Sequence, residues 1–123
     1  MSTVLVSRCC AGAHCRYHHN GFLRKVYLEL IQKHDVLALC PEVLGGLPTP
    51  REGCSVHGDR VLGRRTGRDF TREYMLGARR TLQACQALDI HTAYLLHGSP
   101  SCGKGYGVAA QLLARHGIEV IVI

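Results

Sequence analysis

The chain has 123 residues, the length of one domain, and 46% of them are hydrophobic while 20% are charged, as in ordinary globular proteins. This composition excludes disorder throughout, and no apolar run approaches the roughly 20 residues that a membrane-spanning helix needs. Fifteen basic and nine acidic residues give a net charge of +6, which allows nucleic acid or another anionic partner without indicating one. The arginine clusters at 64–68 and 79–80 are interpreted as a solvated face.

Seven cysteines are the unusual feature of this composition. Their number is odd, and the N-terminus lacks the basic and apolar segments of a secretory signal. We therefore expect a cytoplasmic protein with reduced thiols and no disulfide framework. In that setting, cysteines serve as packing residues, nucleophiles or metal ligands.

The first half of the chain alternates between strand and helix patterns. Thr3–Val6 is apolar and β-branched, which predicts a buried strand. A helix is predicted over about Gly21–Lys33, and Val36–Leu39 predicts the second strand. The segment Gly45–Arg51 holds two glycines and two prolines, so it is predicted to be an extended, constrained loop.

The second half continues the alternation. A minor strand is predicted at Val56 or at Val61-Leu62. Thr71 is predicted to cap a helix that runs to about Leu88, whose buried face would carry Tyr74, Ala78, Leu82 and Cys85. The remaining predicted elements are a strand at His91–Leu96, a helix at Gly107–His116 closed by Gly117, and a last strand at Ile118–Ile123.

This alternation predicts an α/β fold in a single domain over residues 1–123. We expect a parallel sheet of about four strands, Rossmann- or flavodoxin-like, with helices on both faces. Ligands of such folds bind outside the carboxyl ends of the strands.

Thiols follow three of the predicted strands. Cys9 or Cys10 follows the first strand, Cys40 the second and Cys102 the third, so we expect three thiols on one rim of the sheet. Three thiolates can hold zinc with a fourth ligand such as His97, or three irons of a [4Fe–4S] cluster whose fourth iron stays open. The alternative is that these cysteines are small buried hydrophobic residues.

The other cysteines have less distinctive positions. Cys85 lies on the apolar stripe of a predicted helix and is interpreted as a core residue. Cys54 is interpreted as incidental, and Cys10 and Cys15, which share the first loop, stay ambiguous.

Three segments of the sequence resemble a bacterial family of small proteins that includes the thiouracil desulfurases. They are Val6–Tyr17, which contains Ser-Arg-Cys and ends in Arg-Tyr, Cys40–Arg51, which reads CPEVLGGLPTPR, and Ser99–Gly103, which reads SPSCG. Weaker similarity between and after these segments extends the resemblance over nearly the whole chain.

The resemblance implies a [4Fe–4S] cluster held by Cys9, Cys40 and Cys102. It also implies an enzyme that removes sulfur from a small thiolated pyrimidine, such as 2-thiouracil or a thiouridine. The net step would be hydrolytic, with sulfide released and no electron transferred, which makes the enzyme a non-redox desulfurase.

That chemistry needs a proton-transfer group and substrate contacts. Glu42 follows Cys40 by two residues and is predicted to be the general base or acid, although it could instead cap loop amides. Ser99 and Ser101 flank Cys102 and are predicted to bind substrate or a cluster sulfur, or else to form a turn. Arg16 and Arg51 are predicted to bind a nucleotide phosphate or a carbonyl oxygen, a structural salt bridge being the alternative.

Two other functions fit the same sequence. The chain could be a non-catalytic α/β module that holds an iron–sulfur cluster or zinc and binds a partner. It could also be an α/β domain with buried thiols and a basic face for RNA. The sequence predicts no oligomeric state.

Overall fold

The computed structural model describes residues 2–7, 21–48, 52–95 and 107–123. Strands and helices alternate along these residues, as the hydrophobic pattern predicts. The elements are, in chain order, β1 (Thr3–Ser7), α1 (Gly21–Ile31), β2 (Asp35–Leu39), α2 (Pro41–Leu44), β3 (Cys54–His57), β4 (Arg60–Gly63), α3 (Thr71–Ala87), β5 (Thr92–Leu95), α4 (Val108–Arg115) and β6 (Glu119–Val122).

Four strands form a parallel sheet in the order β2-β1-β5-β6. The central strand β1 is buried on both faces, and Val4, Leu5 and Val6 are at most 2% exposed. Neighbouring side chains of a strand point to opposite faces. Leu5 therefore joins a core cluster with Leu113 of α4, while Val4 and Val6 join another with Leu30 of α1. The predicted parallel α/β fold with helices on both faces is confirmed.

The stripe predicted on the longest helix, α3, forms its buried face. Tyr74, Ala78, Leu82 and Cys85 are each at most 8% exposed. The sheet packs on this stripe through Leu82 and Cys85. In the described ranges, neither α3 nor any other helix is both long and apolar enough to cross a membrane.

The predicted N-cap of α3 is wrong by one residue. The helix begins at Thr71 and its N-cap is Phe70, whose side chain makes no capping hydrogen bond. Asp69 takes over part of the capping, because its Oδ1 accepts a hydrogen bond of 2.9 Å from the Thr71 amide. The Thr71 hydroxyl oxygen instead accepts a 2.9 Å hydrogen bond from the Val61 amide and so connects α3 to β4.

The region that was predicted to hold one minor strand forms a β-hairpin. Strands β3 and β4 pair antiparallel, with Val56 opposite Val61. Gly58 adopts a φ of 63° in the two-residue turn, a conformation that glycine takes without strain. Both alternatives for the minor strand are therefore realised at once, because each strand is the partner of the other.

The Glu52 carboxylate holds the chain that leaves this hairpin. Its Oε1 accepts hydrogen bonds of 3.1 Å from the amides of Arg65 and Thr66, and its Oε2 accepts one of 2.8 Å from the Thr66 hydroxyl. The Thr66 hydroxyl and amide, followed by the Arg65 amide and charge, lower the pKa of Glu52. These bonds favour the ionised carboxylate and fix the turn that follows β4.

We expect Glu52→Ala to weaken the acid dependence of unfolding. The stability that the Glu52 hydrogen bonds contribute is present above the ordinary glutamate pKa and is lost as the pH falls through the lowered folded value. The wild-type melting temperature should therefore fall more steeply below about pH 4.5 than that of Glu52→Ala. Thermal unfolding followed by circular dichroism from pH 3 to 7 measures this, with Asp59→Ala in the exposed hairpin turn as the control. Parallel curves for all three proteins would contradict the assignment.

Candidate active site

Three neighbouring strands of the parallel sheet end at the same edge. Ser7 at the end of β1 pairs in register with Leu39 at the end of β2, and Val6 pairs with Tyr94 near the end of β5. The carboxyl ends of β2, β1 and β5 are therefore adjacent. This confirms the strand arrangement from which the sequence predicted a shared rim, and it is the edge where α/β folds bind ligands.

Cys40 is the predicted metal ligand that the structure describes, and it lies directly after β2. Its backbone is extended, with φ −114° and ψ 108°, and it forms the N-cap of α2. Its side chain is 8% exposed and packs in the core cluster that contains Val4 and Val6. Pro41 occupies the first turn of α2, where its missing amide proton is not needed. The chain therefore turns from strand into helix with the thiol at the junction.

Glu42 lies in the first turn of α2 and not in a loop, which was the setting of its alternative role as a cap for loop amides. Helix α2 itself was not predicted, because it is only four residues long and is followed by Gly45-Gly46. The Glu42 side chain is 9% exposed, which is rare for a carboxylate. Its Oε1 accepts a hydrogen bond of 2.9 Å from the hydroxyl of Tyr74 on α3. A carboxylate is thus buried two residues after the Cys40 thiol.

Tyr74 contacts Glu42, and Cys54 packs in the same core cluster as Tyr74. Tyr74 was predicted only as part of an apolar stripe, and Cys54 as incidental. Cys54 is 4% exposed, so its thiol is part of the core that holds the tyrosine ring. A buried tyrosine needs a hydrogen-bond partner for its hydroxyl. This need was the only feature of the sequence that could have indicated a polar contact at Tyr74.

The pKa of Tyr74 is raised well above its ordinary value. Burial is the main cause, followed by the Glu42 carboxylate and the Cys54 thiol. The hydroxyl therefore keeps its proton at any working pH and serves as a donor.

Two glycines let α2 lie directly against α3. A Cβ atom on Gly77 would overlap the Pro41 carbonyl, and one on Gly45 would overlap the Glu73 carbonyl. Arg80 adds a hydrogen bond of 2.6 Å from its guanidinium to the Leu44 carbonyl at the end of α2. The helix that carries Glu42 and follows Cys40 is therefore fixed by backbone contact with α3.

The end of α2 explains the glycine pair that follows it. Gly46 adopts a φ of 93°, a left-handed conformation that glycine takes without strain. Gly45 has an ordinary φ of −80°, so it is required for the close approach to α3 and not for its own backbone angle.

Several predicted site residues lie outside the described residues, and so do the segments around them. Within the described ranges, no three His, Cys, Asp or Glu side chains are grouped as they would be around a metal ion. Of the predicted triad of thiols, the described part contains Cys40 alone. The predicted residues outside it are Cys9, Cys102, Ser99, Ser101, Arg16 and Arg51, together with Cys10, Cys15 and His97.

Two other predictions, for Cys85 and for the arginine clusters, concern residues that the structure describes. Cys85 is fully buried in the core, as predicted, and burial raises the pKa of its thiol to about 11. The arginine clusters at 64–68 and 79–80 are exposed, as predicted for a solvated face. Arg80 departs from this interpretation only in its bond to α2.

The fold and the site together define an α/β protein with a buried thiol and a buried carboxylate at the carboxyl edge of a parallel sheet. The sequence profile of the 2-thiouracil desulfurase family matches residues 4–123. The chain belongs to this family, and the resemblance seen in its three motifs is confirmed.

Two relatives illustrate how far the similarity extends. The chain is 31% identical over 141 residues to the uncharacterized protein YbbK of Bacillus subtilis (strain 168), covering 96% of this chain and 93% of that protein. It is 35% identical to a [4Fe-4S]-dependent thiouracil desulfidase, TudS, of known structure. That comparison covers 99% of this chain and 91% of the other, with a TM-score of 0.83.

Proposed function

We propose that this chain is a desulfurase that hydrolyses the carbon–sulfur bond of a thiolated pyrimidine base or nucleoside and releases sulfide. Membership of the 2-thiouracil desulfurase family and similarity to TudS support this activity. The observation that carries it is the buried Cys40-Pro41-Glu42 turn, which combines a thiol at the sheet edge with a carboxylate two residues later.

We propose a [4Fe–4S] cluster as the cofactor, held by Cys9, Cys40 and Cys102. The donor set fits, because Cys40 lies at the end of β2 and the other two thiols follow β1 and β5, the next strands of the sheet. Three cysteines leave one iron of such a cluster without a protein ligand. When bound, the cluster would supply a Lewis acid that polarises the carbon–sulfur double bond.

The side chains of the protein would handle water and protons. In the balanced reaction, one water replaces sulfur: a carbon–oxygen bond forms, the carbon–sulfur bond breaks and hydrogen sulfide leaves, with no net oxidation. We propose that Glu42 takes a proton from the attacking water and returns it to the ring nitrogen or the departing sulfur. Ser99 and Ser101 are proposed to orient the substrate.

Arg16 and Arg51 are proposed substrate-binding residues. A guanidinium donates to a pyrimidine carbonyl oxygen or, in a nucleotide, to a phosphate. The net charge of +6 is compatible with either substrate. Comparing 2-thiouracil with 2-thiouridine and its 5′-phosphate measures the contribution of the sugar and the phosphate.

Anaerobic reconstitution with iron and sulfide tests the function. We expect about four irons per chain, visible absorption, and sulfide release from 2-thiouracil or 2-thiouridine that stops when a chelator removes the iron. Cys40→Ala should lose the iron, whereas Cys85→Ala, which alters a buried thiol in a different core cluster, should keep it. Iron without sulfide release would indicate the non-catalytic module, and zinc in place of iron would overturn the cofactor assignment.

A further inference from the structure

The Tyr74 hydroxyl and the Glu42 carboxylate form a buried pair that the established family membership does not explain. The two residues are 32 positions apart, and their oxygens lie 2.9 Å apart between α3 and α2. Tyr74 is 1% exposed and Glu42 9%. A hydrogen bond between two side chains in such a dry setting is stronger than one at the surface.

The tyrosine ring is packed in the hydrophobic core. It belongs to a core cluster with Leu47, Cys54 and Val61, so residues from the α2–β3 connection, β3 and β4 surround it. Cys54 and Val61 pack the β3–β4 hairpin into the same cluster as the Tyr74 ring. The hairpin therefore holds the ring, and the hydroxyl at the end of that ring limits the rotation of the Glu42 side chain.

Such a limit matters for a group that transfers a proton. A carboxylate is efficient only when one oxygen faces the reacting atoms, and a misplacement of about 1 Å can lower a rate about 100-fold. When Oε1 of Glu42 is held by Tyr74, the position of Oε2 is largely determined as well.

We propose that Tyr74 is a positioning residue that orients the Glu42 carboxylate for catalysis, and that the β3–β4 hairpin, through Cys54 and Val61, holds the Tyr74 ring in place. This inference rests on the proposed function of Glu42 in desulfuration. It assigns the hairpin a role in the active site, although the hairpin lies outside the parallel sheet.

Tyr74→Phe removes the hydroxyl and keeps the ring. In the reconstituted protein, we expect kcat to fall about 10- to 100-fold, the range for leaving one buried hydrogen-bonding group without its partner. KM should stay within about twofold, and the iron content and visible spectrum should not change, because the ring, Cys40 and the substrate contacts remain. Tyr27→Phe, a half-buried tyrosine on α1, is the matched control and should leave kcat unchanged.

A double substitution separates positioning from a general structural effect. If Tyr74 acts through Glu42, adding Tyr74→Phe to Glu42→Gln should lower kcat no further. Unfolding of the protein as purified gives a readout that does not need activity: Tyr74→Phe and Glu42→Ala, which removes the acceptor, should be non-additive in the unfolding equilibrium by about threefold or more. Should Tyr74→Phe not fold, Cys54→Ala should lower kcat by a smaller factor with KM unchanged.

The outcomes also separate this inference from the proposed function. If wild-type protein releases sulfide and Tyr74→Phe has the same kcat, the positioning role is overturned and the desulfurase function stands. If wild-type protein with bound iron releases no sulfide, the proposed function fails. The unfolding measurements on the single and double variants then show whether Tyr74 and Glu42 are coupled. Additive effects on the unfolding equilibrium overturn the inference whether or not sulfide is released.

Discussion

Glu42→Gln is expected to keep the iron–sulfur cluster and to lower kcat about 100- to 10,000-fold, the usual contribution of a general acid or base. Glutamine has nearly the same shape, and its side-chain oxygen can still accept the Tyr74 hydroxyl proton that Oε1 accepts in the wild-type protein. It cannot take a proton from water. The folded structure should therefore survive while the proton-transfer step is lost.

Steady-state sulfide release, iron content and melting temperature, measured on the same preparation, check this result. Glu119→Gln is the matched control, because Glu119 is exposed at the start of β6 on the far edge of the sheet. Full activity in Glu42→Gln would mean that Glu42 only fixes α2. Loss of iron together with activity would mean that the carboxylate supports the Cys40 turn and is not the proton-transfer group.

The sequence predicts the parts of this fold that depend on local pattern. The buried strand β1 and the stripe of α3 follow from hydrophobic periodicity, and the positive φ of Gly117, at 81°, follows from its place after α4. The shared edge of strands β1, β2 and β5, where the three thiols were expected, follows from the rule that parallel strands end at one edge. The family was predicted from the resemblance of the three sequence motifs and not from these local patterns.

Features that depend on distant partners could not be predicted in this way. Helix α2 has four residues, too few for a periodic signal, and it exists because α3 supports it. Each strand of the hairpin has only a weak strand pattern in the sequence. The pairing that stabilises both strands cannot be seen from either segment alone. Tyr74 satisfies the helical stripe equally well with or without Glu42 beside its hydroxyl, so periodicity could not distinguish a core residue from a site residue.

Gly77 illustrates the same limit in the interior of a helix. A glycine there lowers helix stability by about 1 kcal/mol relative to alanine, so the local pattern alone favours its replacement. The structure gives the opposing reason. Gly77 is buried, and the Pro41 carbonyl of α2 occupies the space that a Cβ atom would need.

Gly77→Ala is therefore expected to destabilise the protein by about 1–3 kcal/mol, the range for overpacking, in spite of the gain in helix propensity. The obstructing atom belongs to the backbone between Cys40 and Glu42, so it cannot rotate away as a side chain could. Relief of the overlap must move α2, and we expect iron binding and sulfide release to fall together with stability.

Chemical unfolding measures the stability, and reconstitution measures the displacement of the site. Gly53→Ala is the matched control, because a Cβ atom there would come no closer than 3.7 Å to the Arg64 side chain, an ordinary contact. A Gly77→Ala protein with unchanged or increased stability would show that helix propensity outweighs the contact. The α2–α3 junction would then be too loose to fix the thiol and the carboxylate. A destabilised protein that still binds iron normally would show that iron binding does not depend on the close contact between α2 and α3.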